Sequence, residues 1–140
     1  MRYEHTVDIA APVDAIWPVI ADIEHWPDWT PTMMTVEALD PLPLRVGLRA
    51  RVKQPGLRPA VLTVTAVEEG RRFLWGTKQP GLAFTADHVI ASSPAGSRVR
   101  LLAEFTGLLA PVVGAIYGKK VRAYVAIEAE SLKARVEGTK

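Results

Sequence analysis

The sequence predicts an α+β fold in which a curved antiparallel sheet and one long C-terminal helix enclose an apolar pocket. Three observations predict it. A strand-like segment and a helix-forming segment open the chain. Strand-like segments joined by short turn sequences then occupy residues 33–106. Finally, the hydrophobic period changes to that of a helix across residues 109–137.

The first elements follow from alternation and from proline placement. Residues 3–10 alternate between apolar and polar side chains, which predicts a half-buried strand. A helix is expected to open at Pro12, because proline suits the first helical position and Asp14 suits the first turn. Pro18 predicts a kink or a short first segment. Residues 22–31 contain two further prolines and allow only a short helix or turn.

Six strands are predicted next, from segments rich in valine, threonine, leucine and aromatic residues. They cover residues 33–39, 45–53, 60–69, 72–78, 83–92 and 98–106. Short connections predict hairpins, and hence an antiparallel meander. The sequence Lys-Gln-Pro-Gly-Leu occurs at 53–57 and again at 78–82, which predicts two similar turns at one end of the sheet.

The last helix is predicted over residues 109–137. Apolar side chains repeat there at helical spacing. The predicted inner stripe consists of Val113, Ile116, Tyr117, Val121, Tyr124, Ile127 and Leu132. Lysine, arginine and glutamate fill much of the remaining helix surface.

Composition and charge narrow the class of protein. The 140 residues are 49% hydrophobic and 23% charged, so we expect one globular domain spanning 1–140. The sequence has no cysteine, which excludes disulfides, thiolate metal ligands and a cysteine nucleophile and fits a cytoplasmic protein. No signal peptide is predicted, and the apolar stretch 108–116 is too short to span a bilayer.

Basic residues are scattered along the chain, apart from the group Lys119, Lys120 and Arg122, and the net charge is only +2. A nucleic-acid surface needs a denser basic stripe, so no nucleic-acid partner is expected. The histidines show no metal-ligand spacing, and the sequence has neither a phosphate-binding glycine loop nor a nucleophile elbow. We therefore expect no metal and no cofactor.

Six short motifs follow one another along essentially the whole chain. They are Ala-Pro-Val-Asp-Ala-Ile-Trp at 11–17, Trp-Pro-Asp-Trp-Thr-Pro at 26–31, Phe-Leu-Trp-Gly at 73–76, Pro-Gly-Leu at 80–82, Asp-His-Val-Ile at 87–90 and Glu-Phe-Thr-Gly-Leu-Leu at 104–109. In order and spacing they resemble the START-like (SRPBCC) superfamily of polyketide cyclases, dehydrases and lipid transport proteins. The resemblance implies a helix-grip fold, a seven-stranded antiparallel sheet wrapped around the last helix, with an elongated apolar cavity between them.

Candidate ligand-binding residues are those predicted to face inward between sheet and helix. They are Trp29, Met33, Phe73, Trp75, Thr77, Phe84, His88, Leu101, Tyr117 and Tyr124. Since a cavity and a packed core use the same residue types, ordinary core packing is the alternative for the apolar ones. The tyrosine hydroxyls either bind a ligand or reach backbone or solvent.

His88 is the candidate acid or base, because an inward imidazole titrates near neutral pH. Its alternative is a buried histidine that is hydrogen-bonded to a neighbour. Trp26 and Trp29 are predicted to anchor their short segment, and Trp29 is also placed to close the cavity mouth. The acids of the last strands are predicted to face outward, which leaves the inner surface poor in acids.

Three functions follow as alternatives. The first is a binder or carrier of a small hydrophobic molecule such as a lipid, quinone or polyketide-like compound. The second is a polyketide cyclase- or dehydratase-like enzyme in which His88 works with Tyr124 or Thr77. The third is a protein-interaction module that uses the helix edge and its basic group. Two convergent ionisable groups in the cavity favour the enzyme, and an apolar wall with one hydroxyl favours the carrier. A monomer and a homodimer both remain open.

Overall fold

A computed structural model describes residues 1–138. The sheet strands are β1 Arg2–Ile9, β2 Thr35–Ala38, β3 Arg49–Lys53, β4 Ala60–Glu68, β5 Arg72–Gln79, β6 Leu82–Ser93 and β7 Gly96–Thr106. The helices are α1 Val13–Ala21, the 3₁₀ segment η1 Ile23–Asp28 and α2 Ala110–Gly138. In this part of the chain, no helix is both long and apolar enough to cross a bilayer.

All seven strands pair in one antiparallel sheet, in the order β1-β7-β6-β5-β4-β3-β2. From β2 to β7 each strand pairs with the next in sequence, as short hairpin connections require. The first strand, β1, pairs with the last strand, β7, and packs against α2. This arrangement confirms the predicted α+β helix-grip fold, with short helices after the first strand.

The early strands are shorter than predicted. β2 starts at Thr35 rather than at 33, and β3 starts at Arg49 rather than at 45. Before β3 the chain makes a turn in which the Leu48 N–H donates to the Arg45 carbonyl and Gly47 adopts a φ of +93°. A positive φ suits glycine and interrupts a strand, which explains the later start.

Both Lys-Gln-Pro-Gly-Leu turns lie at the same end of the sheet, because β3 and β5 run in the same direction and each leads into one copy. Their glycines, Gly56 and Gly81, have φ values of +73° and +78°. A methyl group on Gly81 would lie 3.2 Å from Leu109 Cγ. The start of α2 therefore packs closely over this end of the sheet.

Helix α2 turns most of the predicted stripe towards the sheet, but not all of it. Its buried residues are Ala110, Gly118, Val121, Ala129 and Leu132. Ile116 is 67% exposed and Ile127 is 40% exposed, so their predicted inward orientation is wrong. At about 100° per residue, a side chain two positions before an inward residue points away from the sheet.

Two apolar clusters fill the space between sheet and helices. The larger one joins α1, η1 and the later part of α2, and it includes Trp26, Phe73 and Leu132. The smaller one lies near the start of α2 and includes Tyr3 and Phe105. Phe84 and Val125 contact both clusters, and a cavity remains between them.

Candidate functional site

The cavity lies between the sheet and the first two-thirds of α2 and has a volume of about 390 Å³. Every second residue of β6 from Leu82 to His88 lines it, as does every second residue of β5 from Trp75 to Gln79. Since the β5–β6 turn lies at the start of α2, Gln79 and Leu82 form the outer end. Trp75 and His88 form the inner end.

The outer end is built from both copies of the repeated turn. Gln54 and Leu57 of the first copy line the cavity, and so do the matching glutamine and leucine of the second copy. Arg58, directly after the first copy, adds a cation there. The repeat thus supplies one amide and one aliphatic side chain from each side of the outer end.

Seven of the ten predicted ligand-binding residues line the cavity. They are Met33, Trp75, Thr77, Phe84, His88, Tyr117 and Tyr124. Tyr117 is 39% exposed. The Tyr124 hydroxyl donates to the Pro55 carbonyl at 2.5 Å. The ring of Tyr124 therefore lines the cavity while its hydroxyl ties α2 to the first repeated turn.

The other three predicted residues, Trp29, Phe73 and Leu101, do not line the cavity. Phe73, His88 and Leu101 are cross-strand neighbours in one row, and the cavity ends at this row. Phe73 and Leu101 are buried in the core behind it. Trp29 packs on the Trp26 ring, with 5.6 Å between centroids.

Trp26, and not Trp29, lines the cavity, at the inner end beside Trp75 and His88. Its indole Nε1–H donates to the Ile20 carbonyl at 3.0 Å, which anchors η1 against α1. Its ring lies 5.3 Å from that of Trp75, centroid to centroid. Trp26 thus anchors its segment and also forms part of the cavity wall.

His88 is held rigidly at the inner end. Its ring stacks on Phe73, with centroids 4.1 Å apart and an interplanar angle of 3°. Its Nδ1 lies 3.0 Å from the Phe73 carbonyl oxygen. A carbonyl only accepts, so Nδ1 carries the proton in this contact. The other ring nitrogen, Nε2, then has a free lone pair.

Glu128 faces that lone pair, and the sequence analysis missed it. Its Oε2 lies 3.8 Å from His88 Nε2, and its side chain is 13% exposed. Both residues line the cavity. The expectation that the inner surface is poor in acids is therefore wrong at this position. A signal was present, because Glu128 follows the inward Val121 by two helical turns and precedes the inward Leu132 by one.

Burial shifts the pKa values of these two groups in opposite directions. Desolvation lowers the pKa of His88 to about 4, although its hydrogen bond to Phe73 and the charge of Asp87 oppose the shift. Desolvation also raises the pKa of Glu128 to about 8. At neutral pH both groups are therefore uncharged, with the protonated carboxyl of Glu128 opposite the unprotonated Nε2 of His88.

Charged groups outside the cavity are mostly paired with one another. Asp87 accepts a bidentate contact from Arg72, with a shortest distance of 2.9 Å, and so lies away from the cavity. Of the basic group on α2, Arg122 lies over the Tyr3 ring at 5.6 Å, and Lys119 and Lys120 are exposed. Within residues 1–138, no three acids or histidines converge as a metal site.

Comparison with known proteins defines the family. The model for polyketide cyclase / dehydrase and lipid transport proteins matches residues 1–137. A search of curated protein sequences found no match. Among solved structures, a hypothetical protein from Helicobacter pylori is 13% identical with a TM-score of 0.81, over 97% of this chain and 88% of that one.

Two further solved structures share the fold. A START superfamily protein from Mycobacterium smegmatis is 20% identical with a TM-score of 0.73, over 99% of each chain. The di-domain ARO/CYC protein BexL from the BE-7585A biosynthetic pathway is 19% identical with a TM-score of 0.68, over 98% of this chain and 46% of its own. With the family match over nearly its full length, the chain belongs to the polyketide cyclase/dehydrase and lipid transport family.

Proposed function

We propose that the protein binds a small hydrophobic molecule in the cavity between the sheet and α2. The observation that carries this proposal is the cavity itself, about 390 Å³ in volume, with Trp26, Trp75, Phe84 and Phe105 in its wall. Ligand sites are typically apolar clefts of this size with a few polar groups that orient the ligand. Membership of a family named for lipid transport and polyketide cyclisation supports the same proposal.

The volume limits the size of the ligand. At roughly 30 Å³ for each water-sized group, 390 Å³ accommodates on the order of a dozen groups. A two-chain phospholipid has several times as many. The cavity therefore favours a fused-ring or quinone-like compound, and a longer chain would have to leave through the outer end.

Polar groups lie at the two ends of the cavity. Gln54, Arg58 and Gln79 line the outer end, and His88 and Glu128 line the inner end. Between these ends the wall is aromatic and aliphatic apart from Thr77. The arrangement suits a flat, mainly apolar ligand with one polar group buried next to His88 and Glu128.

The binding proposal is tested in two ways. Native mass spectrometry with lipid extraction, on protein purified from its own source, should detect a reproducible co-purifying lipophile. Titration with naphthalene should change the fluorescence of the cavity tryptophans. Ala86→Phe, which fills the cavity from β6, should weaken naphthalene binding at least about tenfold, since it removes the space for the ring.

The matched control is Ala91→Phe, on the exposed side of the same strand. It adds the same side chain outside the cavity and should leave binding unchanged. Ala103→Leu on β7 is a second, smaller filling variant in case Ala86→Phe does not fold. Equal binding by the wild type and by a folded filling variant would show that the ligand site lies elsewhere.

A second candidate function is that of a cyclase- or dehydratase-like enzyme. The observation that favours it is the convergence of two ionisable groups, His88 and Glu128, in the cavity. Of the two partners that the sequence analysis offered for His88, Tyr124 gives its hydroxyl to Pro55, and Thr77 lines the cavity. His88→Ala should abolish turnover of a polyketide-like substrate without unfolding the protein, and unchanged turnover would remove His88 from the mechanism.

A further inference from the structure

The outer end of the cavity opens beside an exposed apolar surface at the start of α2. Leu108, which joins β7 to α2, is 90% exposed, and Ile116 on the helix is 67% exposed. We propose that this end of the protein docks on the surface of an anionic lipid bilayer. Apolar side chains enter the boundary of the acyl chains, and neighbouring cations contact the lipid phosphates. The inference goes beyond the proposed function, because docking requires no ligand in the cavity.

The exposed apolar side chains at this end form one surface. At about 100° per residue, helix positions three, four and seven apart lie on the same face. Leu109, Val112 and Ile116 follow this spacing, and Leu108 extends the row beyond the helix. We call these four residues the apolar tip. A single exposed leucine is ordinary, but a row of such side chains is typical of a surface that contacts an apolar partner.

The chain segments that meet at the outer end lack acids. Residues 105–127, which include the first half of α2, contain neither aspartate nor glutamate. The two repeated turns lie in further segments without acids, 41–67 and 70–86. Glu104 precedes the end of β7, but it lies on the other face of the sheet, since Ala103 and Phe105 line the cavity. The surface around the apolar tip is therefore basic.

The cations of these segments have no acidic partner. Elsewhere on the sheet, arginines form ion pairs, as Arg49 does with Asp40 and Arg98 does with Asp8. Five cations near the outer end form no ion pair within residues 1–138, namely Lys53, Arg58, Lys78, Lys119 and Lys120. Unpaired cations beside exposed apolar side chains are the pattern that binds anionic lipid surfaces.

Contacts place part of this basic surface at the opening of the cavity. Arg58 lines the outer end. The Lys120 amine lies over the first repeated turn, where a methyl group on Gly56 would overlap it. Tyr117 follows the apolar tip on α2, lines the cavity and is 39% exposed. Tyrosine is typical of membrane–water interfaces, because its ring is apolar and its hydroxyl is polar.

An anionic bilayer fits these groups better than a second copy of the chain does. A two-fold interface centred on the apolar tip would bring Lys119 and Lys120 towards the same lysines of the partner, and like charges repel. Anionic lipids offer negative charge and apolar volume in one surface. The cavity also opens at this end, so a hydrophobic ligand would pass into the bilayer without crossing water.

Vesicle flotation tests the docking. One set of vesicles contains equal parts of phosphatidylcholine and phosphatidylglycerol, and the other contains phosphatidylcholine alone. The wild type should float with the anionic vesicles and bind the neutral ones at least about tenfold more weakly. Raising the salt concentration from about 0.1 M to about 0.5 M should also weaken binding to anionic vesicles, because salt screens exposed charges.

Two double variants test the two parts of the surface. Lys119→Gln combined with Lys120→Gln removes two cations and should weaken binding to anionic vesicles at least about tenfold. Leu108→Ser combined with Ile116→Ser removes apolar contacts with the acyl chains and should weaken binding by about the same factor. All four side chains are exposed, so both double variants should retain the fold, which circular dichroism checks.

The matched controls change similar side chains elsewhere. Arg135→Gln removes an exposed cation near the far end of α2. Val46→Ser removes an apolar side chain that is 59% exposed and lies before β3, at the end opposite the first repeated turn. Both controls should bind anionic vesicles as the wild type does. Their normal binding would show that position, and not total charge or hydrophobicity, determines docking.

The outcomes separate docking from other uses of the surface. Binding to anionic vesicles that both double variants weaken and both controls retain would support the inference. Equal binding to the two kinds of vesicle, unchanged binding by either double variant, or no binding at all would overturn it. Sedimentation velocity then identifies a second copy as the occupant if the protein dimerises and Leu108→Ser with Ile116→Ser abolishes the dimer.

The naphthalene titration distinguishes this inference from the proposed function. Leu108, Ile116, Lys119 and Lys120 do not line the cavity, so the double variants should bind naphthalene as the wild type does. If the wild type binds naphthalene but no vesicle, docking fails and the binding function stands. If it binds anionic vesicles but no naphthalene, the binding function fails and docking stands.

Discussion

Two buried groups on different elements, His88 on β6 and Glu128 on α2, face each other in the cavity with Nε2 and Oε2 3.8 Å apart. Both are uncharged at neutral pH because the apolar wall opposes either charge. The pKa of His88 is lowered and that of Glu128 is raised. His88 should therefore reduce the folding stability as the pH falls, and Glu128 should reduce it as the pH rises.

The first prediction concerns Glu128 and alkaline pH. Its pKa rises from 4.5 to about 8 on folding, so between these values the folded state retains a proton that the unfolded state has lost. The stabilisation is complete below pH 4.5 and is lost as the pH rises to about 8. Glu128→Gln should abolish this loss. Between pH 5 and pH 8 the free energy of unfolding of the variant should therefore rise by roughly a few kcal/mol relative to that of the wild type.

Urea unfolding at pH 5 and at pH 8 measures this difference. Glu130→Gln serves as the control for Glu128→Gln, since Glu130 lies on the same helix and is exposed. If the wild-type and Glu128→Gln stabilities differed by the same amount at both pH values, the Glu128 carboxyl would not be protonated in the folded state.

The second prediction concerns His88 and acid pH. Its pKa falls from 6.5 to about 4 on folding, so in this range the unfolded state binds a proton that the folded state does not. The stabilisation is present above pH 6.5 and is lost as the pH falls to about 4. His88→Asn should therefore lose less stability than wild type between pH 7 and about pH 4.5 in urea unfolding. Parallel losses in the two proteins would contradict a buried neutral imidazole.

At the scale of elements, one close contact sets the rotation of α2. A methyl group on Gly118 would lie 2.6 Å from the Tyr3 hydroxyl oxygen, so β1 and α2 approach closely at this point. The inward position of Gly118 places Ile116 on the outside. The same rotation brings Val121 and Glu128 to the inner face.

The third prediction tests this contact with a double-mutant cycle. Gly118→Ala should destabilise the wild type, because the tip of the rigid Tyr3 ring must move. Tyr3→Phe removes the oxygen that the new methyl group would meet. In that background Gly118→Ala should stabilise the protein by about 1 kcal/mol, since the clash with the hydroxyl is gone and the gain in helix propensity remains. Additive changes in thermal or urea unfolding would show that this contact does not limit the approach of the helix.

At the scale of the whole molecule, the sheet and α2 are held together at two separate clusters, and the cavity lies between them. An unfilled apolar space costs stability because the side chains around it lose contacts. Its retention fits a binding site, where stability is given up for function.

The fourth prediction follows from that cost. Ala103→Leu should raise the stability of the ligand-free protein by about 1 kcal/mol, because new apolar surface fills existing space. The same variant should lose the rise in melting temperature that naphthalene gives the wild type. Thermal unfolding with and without naphthalene measures both effects. A less stable variant that still responded to naphthalene would mean that the cavity does not extend to Ala103.

The sequence predicted the fold better than the site because strands and turns are local features. Alternation and turn residues predicted the β-strands to within a few residues, except where Gly47 delays β3. The stripe on α2 was predicted less well, since Ile116 and Ile127 were assigned inward and Glu128 was not singled out. Hydropathy alone favours that assignment, whereas the close packing of Gly118 on Tyr3 turns Ile116 outward.

By itself, the sequence determined the class of fold, the order of the six strands linked by short turns and the shared end of the two repeated turns, because these depend on residue spacing and antiparallel pairing. The tertiary structure decided which face of α2 is inward, which candidate side chains reach the cavity, and that Glu128 faces His88. It also decided that a space remains between the two clusters. A cavity is a volume left by packing between segments far apart in the chain, and such a volume has no local pattern in the sequence.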